Sequence, residues 1–176
     1  MGRVLIPIIA LAMTLCANVA ISAEETVSMY LTTDSNLTGK KIGTLALKDT
    51  EYGLLITPEL NDLKPGTHGF HVHQYGSCLH SGKGAGDHLD PEETGKHLGP
   101  YGDGHLGDMP VLIVDKSGKA SLPILAPRLK LTDIQGRSII IHEGSDNYSD
   151  EPQKLGGGGK RVACTVLPMD RAGPPD

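Results

Sequence analysis

"HGFHVH", residues 68–73, has the alternation of a β-strand, and its reading decides the fold. Side chains at i and i+2 of a strand share one face, so His71 and His73 point the same way. Two imidazoles on one face are half of a metal site, although an isolated H-x-H is more often a pair of surface or core histidines. The period of two recurs along the chain. Val27, Met29 and Leu31 alternate with polar neighbours, and so do Gly43, Leu45 and Leu47. "GLLIT" (53–57), "VLIV" (111–114), "SIIIH" (138–142) and "RVACTVL" (161–167) are short apolar runs, and turn residues separate them. This pattern predicts an antiparallel sandwich or barrel. Helix signals are poor: 23 Gly and 12 Pro interrupt the chain, and "TDIQG" (132–136) offers one turn. With no Trp and one Phe, the core has to be built from Val, Ile and Leu.

The 176 residues suit a single domain with one hydrophobic core. Arg3, the apolar run Val4 to Leu15 and the small residues up to Ala23 have the order of a secretory signal peptide. The run is too short to span a membrane. Residues 1–23 are therefore expected to be removed, leaving a domain over 24–168, a tail over 169–176 and no membrane attachment. Cys16 leaves with the signal, so Cys78 and Cys164 remain, and in an oxidising compartment one disulfide is the natural reading. It would close a loop of about 85 residues and stabilise by about 2–4 kcal/mol. The net charge is −5, and loss of Arg3, the one charged residue in 1–23, takes it to −6. No basic run or aromatic-interleaved patch occurs, which argues against nucleic acid as a partner.

Two segments break the strand pattern, one from about Cys78 to Asp108 and the other from Glu143 to Lys160. The first contains "DHLDPEETGKHLGPYGDGHLGD" (87–108), with three His, six acids and five Gly in twenty-two residues. It has no apolar run to drive its burial, and a loop this long is usually functional or disordered. His88, His97 and His105 with Asp108 form an N₃O donor set that suits Zn²⁺, and a bound cation would order the loop. H-x₈-H-x₇-H is no general zinc signature, and a solvated acidic loop with incidental His is the competing reading. His142 ends the strand "SIIIH" and is free to join a site built from distant segments. A four-imidazole site suits copper, and N₃O suits zinc. Seven candidate residues face the eight positions of two four-coordinate sites, so one would have to bridge.

"GTHGFHVHQYGSC" (66–78), "GDHLDPEETGKHLGPYGDGHLGDMP" (86–110), "IIIHEGSDNYSD" (139–150) and "LGGGGKRVAC" (155–164) together resemble the copper/zinc superoxide dismutases, in particular the bacterial periplasmic branch. The similarity runs from about Thr26 to Val166. It implies an all-β fold, an eight-stranded Greek-key barrel or sandwich with long zinc and electrostatic loops. It implies one copper held by His71, His73, His88 and His142, and one zinc held by His88, His97, His105 and Asp108, so that His88 is the bridge. Asp146 would hydrogen-bond His71 and His97, Arg161 would attract the substrate anion beside copper, and Cys78 would pair with Cys164. His68 matches a structural histidine, and His80 matches no role. Thr165 stands where the family usually has Gly, which puts the backbone beside the disulfide in question. "GGGG" (156–159) lacks the Lys-Ser/Thr of a phosphate loop and matches the family's electrostatic loop.

The resemblance implies dismutation of superoxide to oxygen and hydrogen peroxide, with His88 and Arg161 as the catalytic residues. Lys154 and Lys160 would add to the field of Arg161, because the net charge is negative. The implied location is the periplasm, and both a monomer and a homodimer fit the branch. A metal-binding protein on the same fold, a copper or zinc buffer or a chaperone-like domain, is the alternative. A degenerate member of that kind would lack the bridging His, the arginine or a zinc ligand, and all are present. A structural adhesion-type sandwich would leave the His cluster unexplained.

Overall fold

A computed structural model describes residues 23–35 and 39–169. The signal peptide expected over 1–23 and the tail over 169–176 lie almost wholly outside these residues, as does Cys16. Nine strands occur among the described residues: β1 Glu24–Leu31, β2 Lys41–Thr50, β3 Gly53–Leu60, β4 Gly66–His68, β5 Phe70–His73, β6 Leu112–Val114, β7 Ile124–Ala126, β8 Ser138–His142 and β9 Arg161–Val166. One short helix, α1 (Leu131–Ile134), falls in the "TDIQG" region. No described helix is long and apolar enough to cross a membrane.

Seven strands form one antiparallel sheet in the order β5-β8-β9-β1-β2-β3-β7, while β4 pairs with β6. β4 and β5 are separated only by Gly69, so residues 66–73 carry the sheet on from β8 to β6. Eight strands were expected and nine are found, because Gly69 divides one extended run between two pairings. At Gly69 a Cβ would stand 3.1 Å from His71 Cε1, which leaves little room for a side chain where the strand changes partners. The chain leaves β3 for β4 and β7 for β8 without pairing those neighbours, as in a Greek key.

The alternation read from the sequence sorts side chains between the two faces. Val27, Met29, Leu45, Leu47, Leu54 and Ile56 enter a core shared with Phe70, Val72, Ile139 and Ile141. Burying such side chains contributes about 1.5–3 kcal/mol each. On β8 the even positions face the other way. Ile140 joins a small outer cluster with Ala85 and Cys164, against which Cys78 packs. His71 lies opposite Ile140, and His73 opposite Ser138, so both imidazoles share that outer face. All five residues of β8 are buried, because loops 78–108 and 143–160 cover the face.

The disulfide joins Cys78 to Cys164 with a Cα separation of 5.8 Å and ties the first loop to β9. Thr165 is buried and pairs in regular register with Ile139, so a side chain there leaves the strand undisturbed.

The long first loop is held by apolar anchors and hydrogen bonds as well as by its candidate ligands. Leu89 and Met109 are buried at its two ends and reach the main core. Between them the loop extends the sheet edge: Leu89 N donates to Val72 O, Val72 N to Gly107 O and Gly107 N to Leu89 O, each at 2.9 Å. Asp90 accepts hydrogen bonds from Gly95 N at 2.8 Å and Thr94 Oγ1 at 3.1 Å. Arg128 donates to Gly104 O at 2.7 Å and to His105 O at 3.3 Å. Leu89, alone between His88 and Asp90, is an anchor that no apolar run marks, and Leu106 also packs against the core.

Candidate metal centre

β5 and β8 bring His71, His73 and His142 to the outer face, and the first loop folds His88 onto them through a bridge between His73 and His88. His71, His73, His88 and His142 are all buried, and each offers one nitrogen within 4.8 Å of the others. The second nitrogen of each ring is engaged. His71 Nε2 donates to Asp146 Oδ2 at 2.8 Å, His73 Nδ1 to Gly86 O at 3.0 Å and His142 Nδ1 to Gly159 O at 3.2 Å. His88 Nδ1 lies 2.8 Å from Asp108 Oδ1. The remaining atoms, His71 Nδ1, His73 Nε2, His88 Nε2 and His142 Nε2, are buried with no hydrogen-bond partner. Such bare nitrogens are costly in a protein interior unless they bind something.

A second set, His88, His97, His105 and Asp108, is likewise buried and mutually within 4.8 Å. His97 Nδ1 lies 2.8 Å from Asp108 Oδ2, and His105 Nδ1 lies 3.5 Å from Asp108 Oδ1. His97 Nδ1, His105 Nδ1 and Asp108 Oδ2 nevertheless lack hydrogen-bonding geometry. His88 belongs to both sets, one ring nitrogen in each.

Asp146 joins the two sets from behind. Its Oδ1 accepts from His97 Nε2 at 2.8 Å and from Tyr148 N at 2.7 Å, while Oδ2 takes His71 Nε2. These bonds fix which nitrogen of each ring stays bare. The first glycine of the run, Gly156, is required by this contact. At Gly156, with φ of 74°, a Cβ would stand 1.9 Å from Asp146 Oδ1 and 2.8 Å from His97 Nε2. Backbone alone fits there, and the phosphate-loop reading has no role.

Burial, and then the neighbouring His88, push His71 down to about 3, against the pull of Asp146. Burial takes His142 down to about 4, opposed by its hydrogen bond to Gly159. His73 lies well below the ordinary range, from burial and then from His88, and burial also lowers His88. These four rings are therefore neutral near pH 7 and keep a lone pair for a metal. Burial acts to lower His97 as well, but Asp108 and Asp146 outweigh it and raise the ring to about 9. Burial acts to raise Asp108 and Asp146, and their imidazole contacts win, holding both well below the usual carboxylate range. The first set, four imidazoles, suits a redox-active copper, and the second, three imidazoles and a carboxylate, suits zinc.

A family model described as copper/zinc superoxide dismutase matches residues 41–167. The chain belongs to the copper/zinc superoxide dismutase family. A superoxide dismutase [Cu-Zn] 2 of Salmonella typhimurium is 51% identical over 161 residues, covering 86% of this chain and 92% of that protein. The superoxide dismutase [Cu-Zn] of Photobacterium leiognathi is 52% identical over 139 residues, covering 74% of this chain and 80% of that protein. The solved copper/zinc superoxide dismutase of Brucella abortus matches with a TM-score of 0.78 and 44% identity, covering 82% of this chain and 99% of that one. The family implies copper and zinc, and the two buried donor sets fit that pair.

Arg161 stands beside the copper-type set of this dismutase family member. Its guanidinium donates to Gly82 O at 2.7 Å and Gly86 O at 2.6 Å, and Gly86 O also accepts from His73. It lines an open cavity of about 890 Å³ together with Lys160 and Lys83. Lys154, which the sequence places in the same loop, does not line that cavity. Sequence reasoning missed Lys83, which comes from the disulfide loop and carries no motif. It also missed Asp150, which accepts from His97 N at 2.9 Å and Leu155 N at 3.1 Å and so ties the two loops together.

His68 is buried in a packing role, its ring nitrogens 2.6 Å from His142 O and 2.7 Å from Lys64 O. His80 is exposed with φ of 54° and belongs to no donor cluster among the described residues.

Proposed function

We propose that this chain dismutates superoxide to oxygen and hydrogen peroxide, holding copper with His71, His73, His88 and His142 and zinc with His88, His97, His105 and Asp108. The observation that carries the assignment is the set of buried imidazole nitrogens without hydrogen-bond partners, whose other ring nitrogens are engaged. Copper supplies one-electron redox chemistry, and zinc a fixed charge that keeps the shared imidazole in place. His88 holds a proton at Nε2 during half of the cycle and returns it in the other half, while its Nδ1 stays with the second set. Asp146 fixes the rings of His71 and His97, so neither donor has to reorganise. Arg161 attracts the anion, and superoxide dismutases are themselves a standard case of such steering.

Residues 1–23 act as a cleaved signal, 24–168 form the enzyme and 169–176 a tail. The disulfide and the bacterial relatives support export to the periplasm. The Arg161→Ala variant tests the reading: catalysis and its salt dependence should fall while both metals are retained. Equal loss of both metals would remove Arg161 from the steering role. The buffer or chaperone-like alternative predicts metal binding without dismutation, and the complete donor set with Arg161 at its mouth disfavours it.

A further inference from the structure

The cavity in front of Arg161 is not lined by cations alone. Its wall carries Lys83, Lys160 and Arg161, but also the carboxylates of Asp34 and Asp87. Asp34 is engaged, since the Ser81 hydroxyl donates to it and Ser81 N donates to Thr33 O at 3.1 Å. Asp87 is exposed, and among the described residues no hydrogen bond or ion pair holds its carboxylate.

Its backbone, by contrast, is pinned. Asp87 O accepts from Gln74 N at 3.0 Å. The preceding carbonyl, Gly86 O, takes Arg161 Nη2 and His73 Nδ1, and the following residue is His88. The Asp87 backbone is therefore fixed at the cavity wall, one residue from the shared imidazole and one carbonyl from the guanidinium, and its carboxylate is free to move there. Its charge reaches Arg161. Burial weakens the guanidinium's hold on its proton, and Asp87 acts in the opposite direction.

We propose that Asp87 is a rate-setting countercharge of the substrate channel, which lowers the positive potential made by Lys83, Lys160 and Arg161 and so limits capture of small anions. The proposal rests on the dismutase reading of this site. A carboxylate at the wall reduces the local anion concentration before any contact forms, so it acts on association and is screened by salt. The three cations then serve two ends: they offset Asp87 and Asp34, and the remaining excess draws in the substrate. Asp87 touches no reacting atom, and its influence is on the field alone.

The test uses the copper- and zinc-loaded enzyme, the wild type beside the Asp87→Asn and Lys83→Gln variants. kcat/KM for superoxide is measured at about 0.01 M and about 1 M salt, where the screening length falls from about 30 Å to about 3 Å. The affinity for azide, an anion of the same charge, is read separately from the copper(II) absorption. Asp87→Asn should raise kcat/KM and azide affinity by about two- to tenfold at low salt. Lys83→Gln should lower both, and all three proteins should converge at high salt with equal metal content. An unchanged or lower value for Asp87→Asn at low salt would overturn the proposal, as would a gain that survives at 1 M. Metal loss in Asp87→Asn would overturn it too, by making Asp87 a support for His88. A fully loaded wild type that does not dismutate would refute the dismutase reading, and the azide arm would still decide the role of Asp87.

Discussion

Replacing Asp146 by Asn keeps the shape of the side chain and removes one acceptor. In the native protein both carboxylate oxygens are occupied, Oδ1 by His97 Nε2 and Tyr148 N and Oδ2 by His71 Nε2. An amide has one oxygen, so its NH₂ must face one of the two imidazole N–H groups. That ring loses a hydrogen bond to a charged acceptor, worth about 1.5–3 kcal/mol. It then either keeps a buried, unsatisfied N–H or moves its proton to the nitrogen that should bind metal. At about 1.4 kcal/mol per decade, this weakens the metal held by that ring by about 10–100-fold. Competition with chelators of graded affinity, followed separately for copper and zinc, measures the effect. The metal that suffers reports which way the amide sits: loss of copper marks His71, and loss of zinc marks His97. If both affinities stayed within about twofold of wild type, the claim that Asp146 presets the two rings would be wrong.

Three further perturbations probe the frame around the site. Gly156→Ala places a Cβ against Asp146 Oδ1 at a φ of 74°, so denaturant unfolding should show a loss of about 1–3 kcal/mol together with poorer metal retention. Full stability and full metal content would show that the close approach is not needed. Cys164→Ser opens a link between residues 86 apart and should cost about 2–4 kcal/mol, read as a lower unfolding midpoint; an unchanged midpoint would contradict the estimate. Asp115 is held below its ordinary value by Lys119 N, and then by Ser117. Because the folded value is depressed, the stability it contributes is present above the unfolded value of about 3.9 and is lost as pH falls through the folded one. The stability gap between wild type and Asp115→Ala should therefore narrow below about pH 4, and a gap that did not vary with pH would argue against this.

The parts of the fold that were legible in the sequence were those governed by local period. Alternation at Val27–Leu31 and at 43–47 marks strands, and the spacing of His71 and His73 puts both on one face because a strand's side chains alternate. What local spacing could not show was which distant residues meet. His88 and His142 come together through the pairing of β5 with β8 and the folding back of a loop, and only the family resemblance anticipated that grouping. A single anchor was hidden for a related reason. Leu89 stands alone between His88 and Asp90, so no apolar run announces that it reaches the core. The ninth strand was invisible because Gly69 divides its run by a change of partner, which leaves no trace in composition. Lys83 and Asp87 gain their place on the cavity beside Arg161 from the disulfide loop's path, whereas Lys154, in the expected loop, lies off it.

The central claim is that two buried donor sets sharing His88 hold one copper and one zinc and together dismutate superoxide. It is tested most directly by metal analysis of the purified protein from residue 24 onward, with superoxide consumption measured before chelation, after it and after metals are restored. One copper and one zinc per chain are expected, with activity lost on chelation and recovered when copper is returned to the zinc-loaded protein. Zinc at both sites with no activity on addition of copper would contradict it.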